Sequence, residues 1–214
     1  MRKPTLLTAA AALLLGVASN ALGQVSTSAV MDQGKSYTMG IFYGGSEPWQ
    51  EAGGYYDHDY YLFGATAGVE GLTSWKAGSL GLRMDLGYIP WKMKSGRSDY
   101  KSTIMMLTFR AAWNWPVYLN GRLRIAPTAG VGFYPIGYSV PVTEGEEPAN
   151  QAKAGVNFGG ELSFLASNKV LLTLSAIHHI VFTDYVGRVG GKRIDGETPF
   201  TVLSLTASYV FPAE

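Results

Sequence analysis

The sequence predicts an all-β fold, an eight-stranded antiparallel up-and-down β-barrel that spans a membrane. Large apolar and small polar residues alternate in segments of about ten residues, the length that a tilted membrane strand requires. Long and short connections alternate between these segments. Only 15% of the residues are charged, against about 25% in an average soluble domain. The chain therefore lacks the charge to cover a water-exposed surface, and it has no apolar run for a spanning helix after residue 23.

The N-terminus has the pattern of an export signal. Arg2 and Lys3 are followed by an apolar stretch, Leu6–Val17, which is too short to span a bilayer. Ala21, Leu22 and Gly23 then offer a small-residue cleavage site. We therefore predict a cleaved signal peptide over residues 1–23 and one barrel domain over residues 24–214.

The first four strands are predicted by large apolar side chains at every second position. They are Ser36–Gly44 (Tyr37, Met39, Ile41, Tyr43), Tyr60–Glu70 (Tyr61, Phe63, Ala65, Ala67, Val69), Ser79–Ile89 (Leu80, Leu82, Met84, Leu86, Tyr88) and Ile104–Trp115 (Met105, Leu107, Phe109, Ala111, Trp113, Trp115).

The last four strands are predicted by the same alternation. They are Arg122–Tyr134 (Leu123, Ile125, Pro127, Ala129, Val131, Phe133), Ala154–Leu165 (Val156, Phe158, Leu162, Phe164), Leu171–Thr183 (Leu172, Leu174, Ala176, Ile180, Phe182) and Val202–Phe211 (Leu203, Leu205, Ala207, Tyr209, Phe211). Pro127 removes a ladder donor in mid-strand, so we expect a bulge or a shifted register there.

The opposite face of the predicted strands is small and hydroxylated, as in Gly64, Thr66 and Gly68. The interior of an eight-stranded barrel is just wide enough for side chains to fill. The small face is therefore expected inside and the large apolar face outside. In lipid, only a closed barrel satisfies the backbone of every strand.

The connections predict which end of the barrel faces outward. Long connections are Gly45–Asp59, Trp91–Thr103, Pro135–Lys153 and Asp184–Phe200, and short ones are Thr73–Gly78, Pro116–Gly121 and Ala166–Val170. Short periplasmic turns and longer outer loops are typical of bacterial outer-membrane barrels. We therefore expect both termini in the periplasm.

Aromatic residues are expected to form two girdles at the membrane interfaces. The outer girdle contains Tyr43, Tyr61, Tyr88 and Trp91, and the periplasmic girdle contains Trp113, Trp115, Tyr209 and Phe211. The middles of the strands hold mainly Leu, Met, Ile, Val and Ala.

This architecture resembles the small eight-stranded Gram-negative outer-membrane β-barrel superfamily, the group that includes the OmpA transmembrane domain, OmpX and OmpW-like proteins. The segment Leu205–Phe211 is similar to the aromatic-ended last strand of such proteins. The resemblance implies a monomer in the outer membrane, in contact with lipid and lipopolysaccharide. It also implies recognition of the last strand by the barrel assembly machinery.

Charged residues fall on the inward register of several strands. We expect Arg83, Asp85, Arg110, Arg124 and Glu161 to form a cross-lumen network, because buried charges must be paired. Glu70 and Arg122 are expected at the wet periplasmic mouth. The network either plugs the barrel or gates a narrow pore, and we favour the plug.

The three histidines offer the candidates for chemistry. His179 shares the inward register with Ser175, but four residues along a strand separate them by roughly 13 Å, so they cannot form a nucleophile–base pair. Ser204 is a conceivable cross-strand partner, and His178 points to lipid. His58 lies in the first outer loop between two aspartates. We predict no catalytic or metal site, and interpret the strand histidines as anchors at the rim.

We therefore predict a structural or interaction protein that presents four outer loops. The alternatives are a narrow channel for small solutes and, third, a lipid A deacylase or acyltransferase. No cofactor is expected, and without a basic excess no nucleic-acid partner is expected.

Overall fold

The computed structural model describes residues 35–48, 60–75, 78–92, 101–118, 122–139, 151–182, 187–189, 192–194 and 198–212. In this part of the chain, eight antiparallel strands form one closed up-and-down barrel, as predicted. The barrel strands are β1 (Ser36–Pro48), β2 (Tyr60–Trp75), β3 (Gly78–Lys92), β4 (Lys101–Tyr118), β5 (Leu123–Ser139), β6 (Gln151–Ser167), β7 (Val170–Val181) and β10 (Thr198–Pro212). Strands β1 and β10 pair and close the barrel.

The strands of the barrel extend beyond the predicted segments, chiefly where they approach the longer connections. Strand β5, for example, was expected to end at Tyr134, whereas its ladder continues to Ser139, which pairs with Lys101. Backbone pairing needs no apolar side chains, so the barrel wall continues after the alternation fades. The predicted loop between β7 and β10 contains a separate small hairpin, β8 (Gly187–Val189) and β9 (Lys192–Ile194).

We call the end of the barrel that carries the longer connections the loop end, and the other the short-turn end. The register shifts between described strands lie toward the short-turn end, and the shift of β2 against β3 contains Gly71 at φ 70°. The shift expected at Pro127 is absent, because Pro127 keeps its regular place opposite Gly160. Proline therefore fits this strand without a bulge, since it removes only its own ladder donor.

The exterior of the barrel carries the large apolar residues, as predicted. Ile41 is 71% exposed and Met39 63% exposed, although both belong to a strand of the barrel wall. A soluble protein does not leave so large an apolar surface in water. The described residues include no helix long and apolar enough to cross a membrane.

Candidate functional site

The inward side chains of β2, β3, β4 and β6 build an ion-pair network in the middle of the lumen. The Arg110 guanidinium donates from Nη2 to Asp85 Oδ2 at 2.6 Å and from Nη1 to Glu161 Oε1 at 2.7 Å. Arg83 donates from Nη2 to Glu70 Oε1 at 2.9 Å and from Nη1 to Glu161 Oε2. Charge-assisted bonds of this kind are the strongest in proteins.

Neutral donors complete the coordination of the carboxylates. Thr108 Oγ1 donates to Asp85 Oδ2 at 3.1 Å, and Asn114 Nδ2 donates to Glu70 Oε2 at 2.7 Å. Glu161 is the junction, because its two oxygens accept from two different arginines. The chain of contacts from Glu70 through Arg83 to Glu161 joins β2 to β6, which stand on opposite sides of the closed barrel.

The structure brings Arg83, Asp85, Arg110 and Glu161 together, whereas Arg124 stands near Glu70 and Arg83 without a direct bond to either. Among the described residues Arg124 makes no hydrogen bond or ion pair, and it is only half-buried. Glu70 was expected at a wet mouth, but it is 5% exposed, because Arg83 and Asn114 draw its carboxylate into the lumen. Arg122 was also expected there, and it too is buried.

A layer of large apolar side chains fills the lumen between this network and the loop end. We call it the loop-side layer, and in the described part of the chain it consists of Phe42, Leu62, Ile89, Ile104, Met106, Tyr134, Ile136, Val181, Phe200 and Val202. Tyr134 and Phe200 are 0% exposed. Water therefore does not reach the ion pairs through these side chains.

Buried His179 ties three strands together within the loop-side layer. Its ring stacks on Phe200 with centroids 4.7 Å apart and planes 5° apart. Its Nδ1 lies 2.9 Å from the hydroxyl oxygen of Tyr134, whose ring meets Phe200 edge-on. The imidazole that sequence reasoning placed at the rim is thus a packed and hydrogen-bonded lumen residue.

The loop-side layer was not predicted from the sequence, because the whole inward face was expected to be small. The room comes from glycines, which lie under the large side chains. A Cβ on Gly64 would stand 2.3 Å from Phe42 Cζ, and one on Gly132 would stand 2.3 Å from the Tyr134 hydroxyl. The inward glycines are the signal in the sequence, because a glycine in a strand often marks a place where another group approaches the backbone closely.

A second apolar cluster lies toward the short-turn end, on the neighbouring strands β6, β7 and β10. It consists of the buried residues Leu165, Leu171 and Val210. Inside the lumen, a cavity of about 20 Å³ is lined by apolar side chains that include Phe42 and Met106 and by polar groups of Asp85, Arg110, Ser175, His179 and Ser204. That volume suits roughly one water molecule, so the cavity is not a passage for solutes.

The serine and histidine positions considered for chemistry are separated. Ser204 Oγ lies 2.7 Å from Ser175 Oγ, and neither is bonded to His179. On the exterior, however, His178 Nδ1 lies 3.0 Å from Thr201 Oγ1 on the next strand. Glu47 of β1 stands opposite Thr201 in the register. His58 lies outside the described residues, which contain no cluster of three metal-binding side chains.

Comparison of the barrel with solved structures gives matches along most of the chain. It superposes on the crystal structure of Ail, the attachment invasion locus protein of Yersinia pestis, in complex with the heparin analogue sucrose octasulfate, with a TM-score of 0.54, 11% identity and coverage of 84% of this chain and 100% of that one. A major outer membrane protein from Thermus thermophilus matches with a TM-score of 0.50, 14% identity and the same coverages. The fold is that of a small outer-membrane β-barrel.

At these identities the likeness establishes the fold alone. No family model matches the sequence, and no curated protein matches it. The structural neighbours are outer-membrane proteins, which supports an outer-membrane location for this barrel. Because one fold carries many functions, its role must be argued from its own residues.

The exterior of this outer-membrane barrel carries aromatic side chains toward both ends. Tyr43 and Tyr61 stack near the loop end with centroids 5.9 Å apart, and Tyr88 contacts Phe63. Tyr209 and Phe211 contact each other near the short-turn end, where Trp115 is exposed and Trp113 half-buried. The backbone of Trp91 belongs to β3, and its side chain lies outside the described residues. That these rings meet the two bilayer interfaces remains a prediction.

Proposed function

We propose that this protein is a sealed outer-membrane barrel, which acts through its outer loops and outer surface and does not conduct solutes. The observation that carries the proposal is the loop-side layer, whose members are almost completely buried. Below it, the ion pairs of Arg83 and Arg110 occupy the middle of the lumen. A narrow channel needs a continuous polar path, and the loop-side layer interrupts one.

Single-channel recording in planar bilayers tests the sealed barrel. We expect the purified protein to be silent, whereas the triple variant Phe42→Ala, Phe200→Ala, Glu161→Ala should show current, because it opens both the layer and the network. Reproducible conductance from the wild-type protein would overturn the proposal in favour of the narrow channel. A heat-modifiability gel checks that the variant forms a closed barrel.

The orientation and partners of the barrel are part of the proposal. Loops on the outer side and termini in the periplasm agree with the connection lengths, since bacterial barrels have short periplasmic turns. Near its end, strand β10 carries Tyr209, Val210 and Phe211, the apolar pattern expected for recognition by the assembly machinery. Protease accessibility of tags placed in the β1–β2 connection and at the C-terminus of intact cells tests the orientation.

A second candidate function rests on the hydrogen bond between Thr201 and His178. A hydroxyl bonded to an imidazole is the pairing of nucleophile and general base, and this pair faces lipid near the loop end. An ester-linked acyl chain of an outer-leaflet lipid is the substrate class that such a position would meet. The hydroxyl would attack the ester carbonyl, His178 would pass its proton to the leaving alcohol, and water would release the acyl group.

Mass spectrometry of lipid A from expressing cells tests this second candidate. A loss of acyl groups that disappears in Thr201→Val and His178→Gln, but persists in the lumen variant Ser175→Ala, would support it. Identical lipid A with and without expression would exclude it.

A further inference from the structure

The exterior of the barrel has an apolar groove of about 510 Å³ on β1, β2 and β3, toward the short-turn end. Its floor contains Ala67 and Val69 of β2. Its sides are formed by Tyr37 and Met39 of β1 and by Leu82 and Met84 of β3. The groove runs along the strands, because Met39, Ala67 and Met84 share one level of the register and Tyr37, Val69 and Leu82 the next.

The groove arises from a difference in side-chain size between neighbouring strands. The outward residues of β1 are long and project far, with Tyr37 51% and Met39 63% exposed. Those of β2 at the same levels, Ala67 and Val69, are short. Strands β1 and β3 are two strand spacings apart, about 9–10 Å, and their own side chains occupy part of that distance.

The width and the surroundings of the groove select its occupant. An α-helix with its side chains is about 10–12 Å across, too wide for the space between the two rows. A single extended hydrocarbon chain is narrower and is supplied by the bilayer that surrounds the barrel. A groove that faces the interior of a bilayer is filled by lipid chains, because no water is present there to fill it.

One cation stands at the end of the groove where a lipid headgroup would lie, and a second lies further around the barrel. Lys35 is exposed and directly precedes β1, two residues before Tyr37. Lys169 is exposed in the β6–β7 turn, and its Nζ lies 6.0 Å from the ring centroid of Tyr209. Tyr209 in turn contacts Phe211, which also lines the groove.

We propose that this groove binds one acyl chain of an anionic phospholipid, whose phosphate lies near Lys35. The chain would lie against Ala67 and Val69, between the rows of β1 and β3. The site belongs to the leaflet at the short-turn end.

Electron spin resonance with spin-labelled phosphatidylglycerol in phosphatidylcholine vesicles tests the proposal. The wild-type barrel should show a motionally restricted lipid component. Ala67→Leu should lower it by the one chain that the groove holds, because the larger side chain fills the groove. The matched control Ala207→Leu, an exposed alanine of β10 that does not line the groove, should leave it unchanged. Heat-modifiable migration checks that each variant is closed.

The charge test is made on the same barrel. Lys35→Gln should weaken the preference for phosphatidylglycerol over phosphatidylcholine about fivefold, the effect of one cation near an anionic surface. A restricted component that is equal in Ala67→Leu and wild type overturns the acyl-chain site. If Lys35→Gln keeps the preference for phosphatidylglycerol over phosphatidylcholine unchanged, the bound lipid is not selected for an anionic headgroup. Crosslinked dimers that Ala67→Leu abolishes would assign the groove to a second copy instead.

Discussion

Glu161 is the residue on which the lumen network depends. Its two oxygens accept from Arg83 and Arg110, and the residue itself is 5% exposed. Removing it would leave two buried guanidinium groups with incomplete partners. The desolvation cost of an unpaired buried charge exceeds that of a missing neutral hydrogen bond.

We therefore expect Glu161→Ala to lower the free energy of unfolding by about 3–5 kcal/mol. Urea titration in detergent micelles, followed by tryptophan fluorescence, measures the change. Ser163→Ala is the matched control on the same strand, because it removes only the bond between Ser163 and Thr173 hydroxyls and should cost about 1 kcal/mol. Equal losses in the two variants would contradict the importance of the charge.

At the scale of the strand, the lumen is filled by pairing large side chains with glycines. Tyr134 illustrates the rule, since its ring lies over Gly132 of its own strand and Gly155 of β6. Gly160, on the outer face of β6, has no atom within 4 Å of an added Cβ. Glycines in one barrel therefore serve different purposes according to the face they occupy.

We expect Gly132→Ala to destabilise the barrel by about 1–3 kcal/mol through overpacking against Tyr134, and Gly160→Ala to change stability little. Adding Tyr134→Leu to Gly132→Ala should cost less than the sum of the two single changes, because the smaller side chain relieves the clash. Unfolding free energies of the four combinations give the coupling. Strict additivity would show that the ring does not depend on Gly132.

The strands and the exterior could be predicted from the sequence because they depend on local alternation. The outward direction of the Ile41 and Phe133 side chains followed from the alternation along their strands and from the low charge of the chain. The loop-side layer could not be predicted in this way, since the space for Phe42 depends on Gly64 of another strand. Likewise, Arg83 and Glu161 are 78 positions apart, and only barrel closure brings them together.

At the scale of the whole molecule, the exterior is an apolar surface suited to the hydrocarbon of a bilayer. Each outward residue would then lie at a defined depth in that bilayer. Ile41 stands on β1 between Tyr37 and Tyr43, the two aromatic residues nearest the ends of its apolar row. The cost of a charge on a barrel exterior depends on its depth in the bilayer. That dependence separates a membrane surface from an apolar patch that binds another protein.

Ile41→Lys should therefore lower stability in lipid vesicles by about 2–4 kcal/mol, whereas Tyr37→Lys should cost about 0–1 kcal/mol. Equilibrium unfolding of vesicle-reconstituted protein measures both. Similar penalties at the two positions would contradict the assignment of Ile41 to the bilayer centre.

The link from Glu70 through Arg83 to Glu161 has a mechanical consequence. A hollow cylinder squeezed from the side flattens into an ellipse, whereas one with a strut across its diameter keeps a round cross-section. Strands β2 and β6 are diametrically placed, so these three side chains act as that strut. Compression along this line is then resisted by the packing of the three side chains, and lengthening along it by their charge attraction.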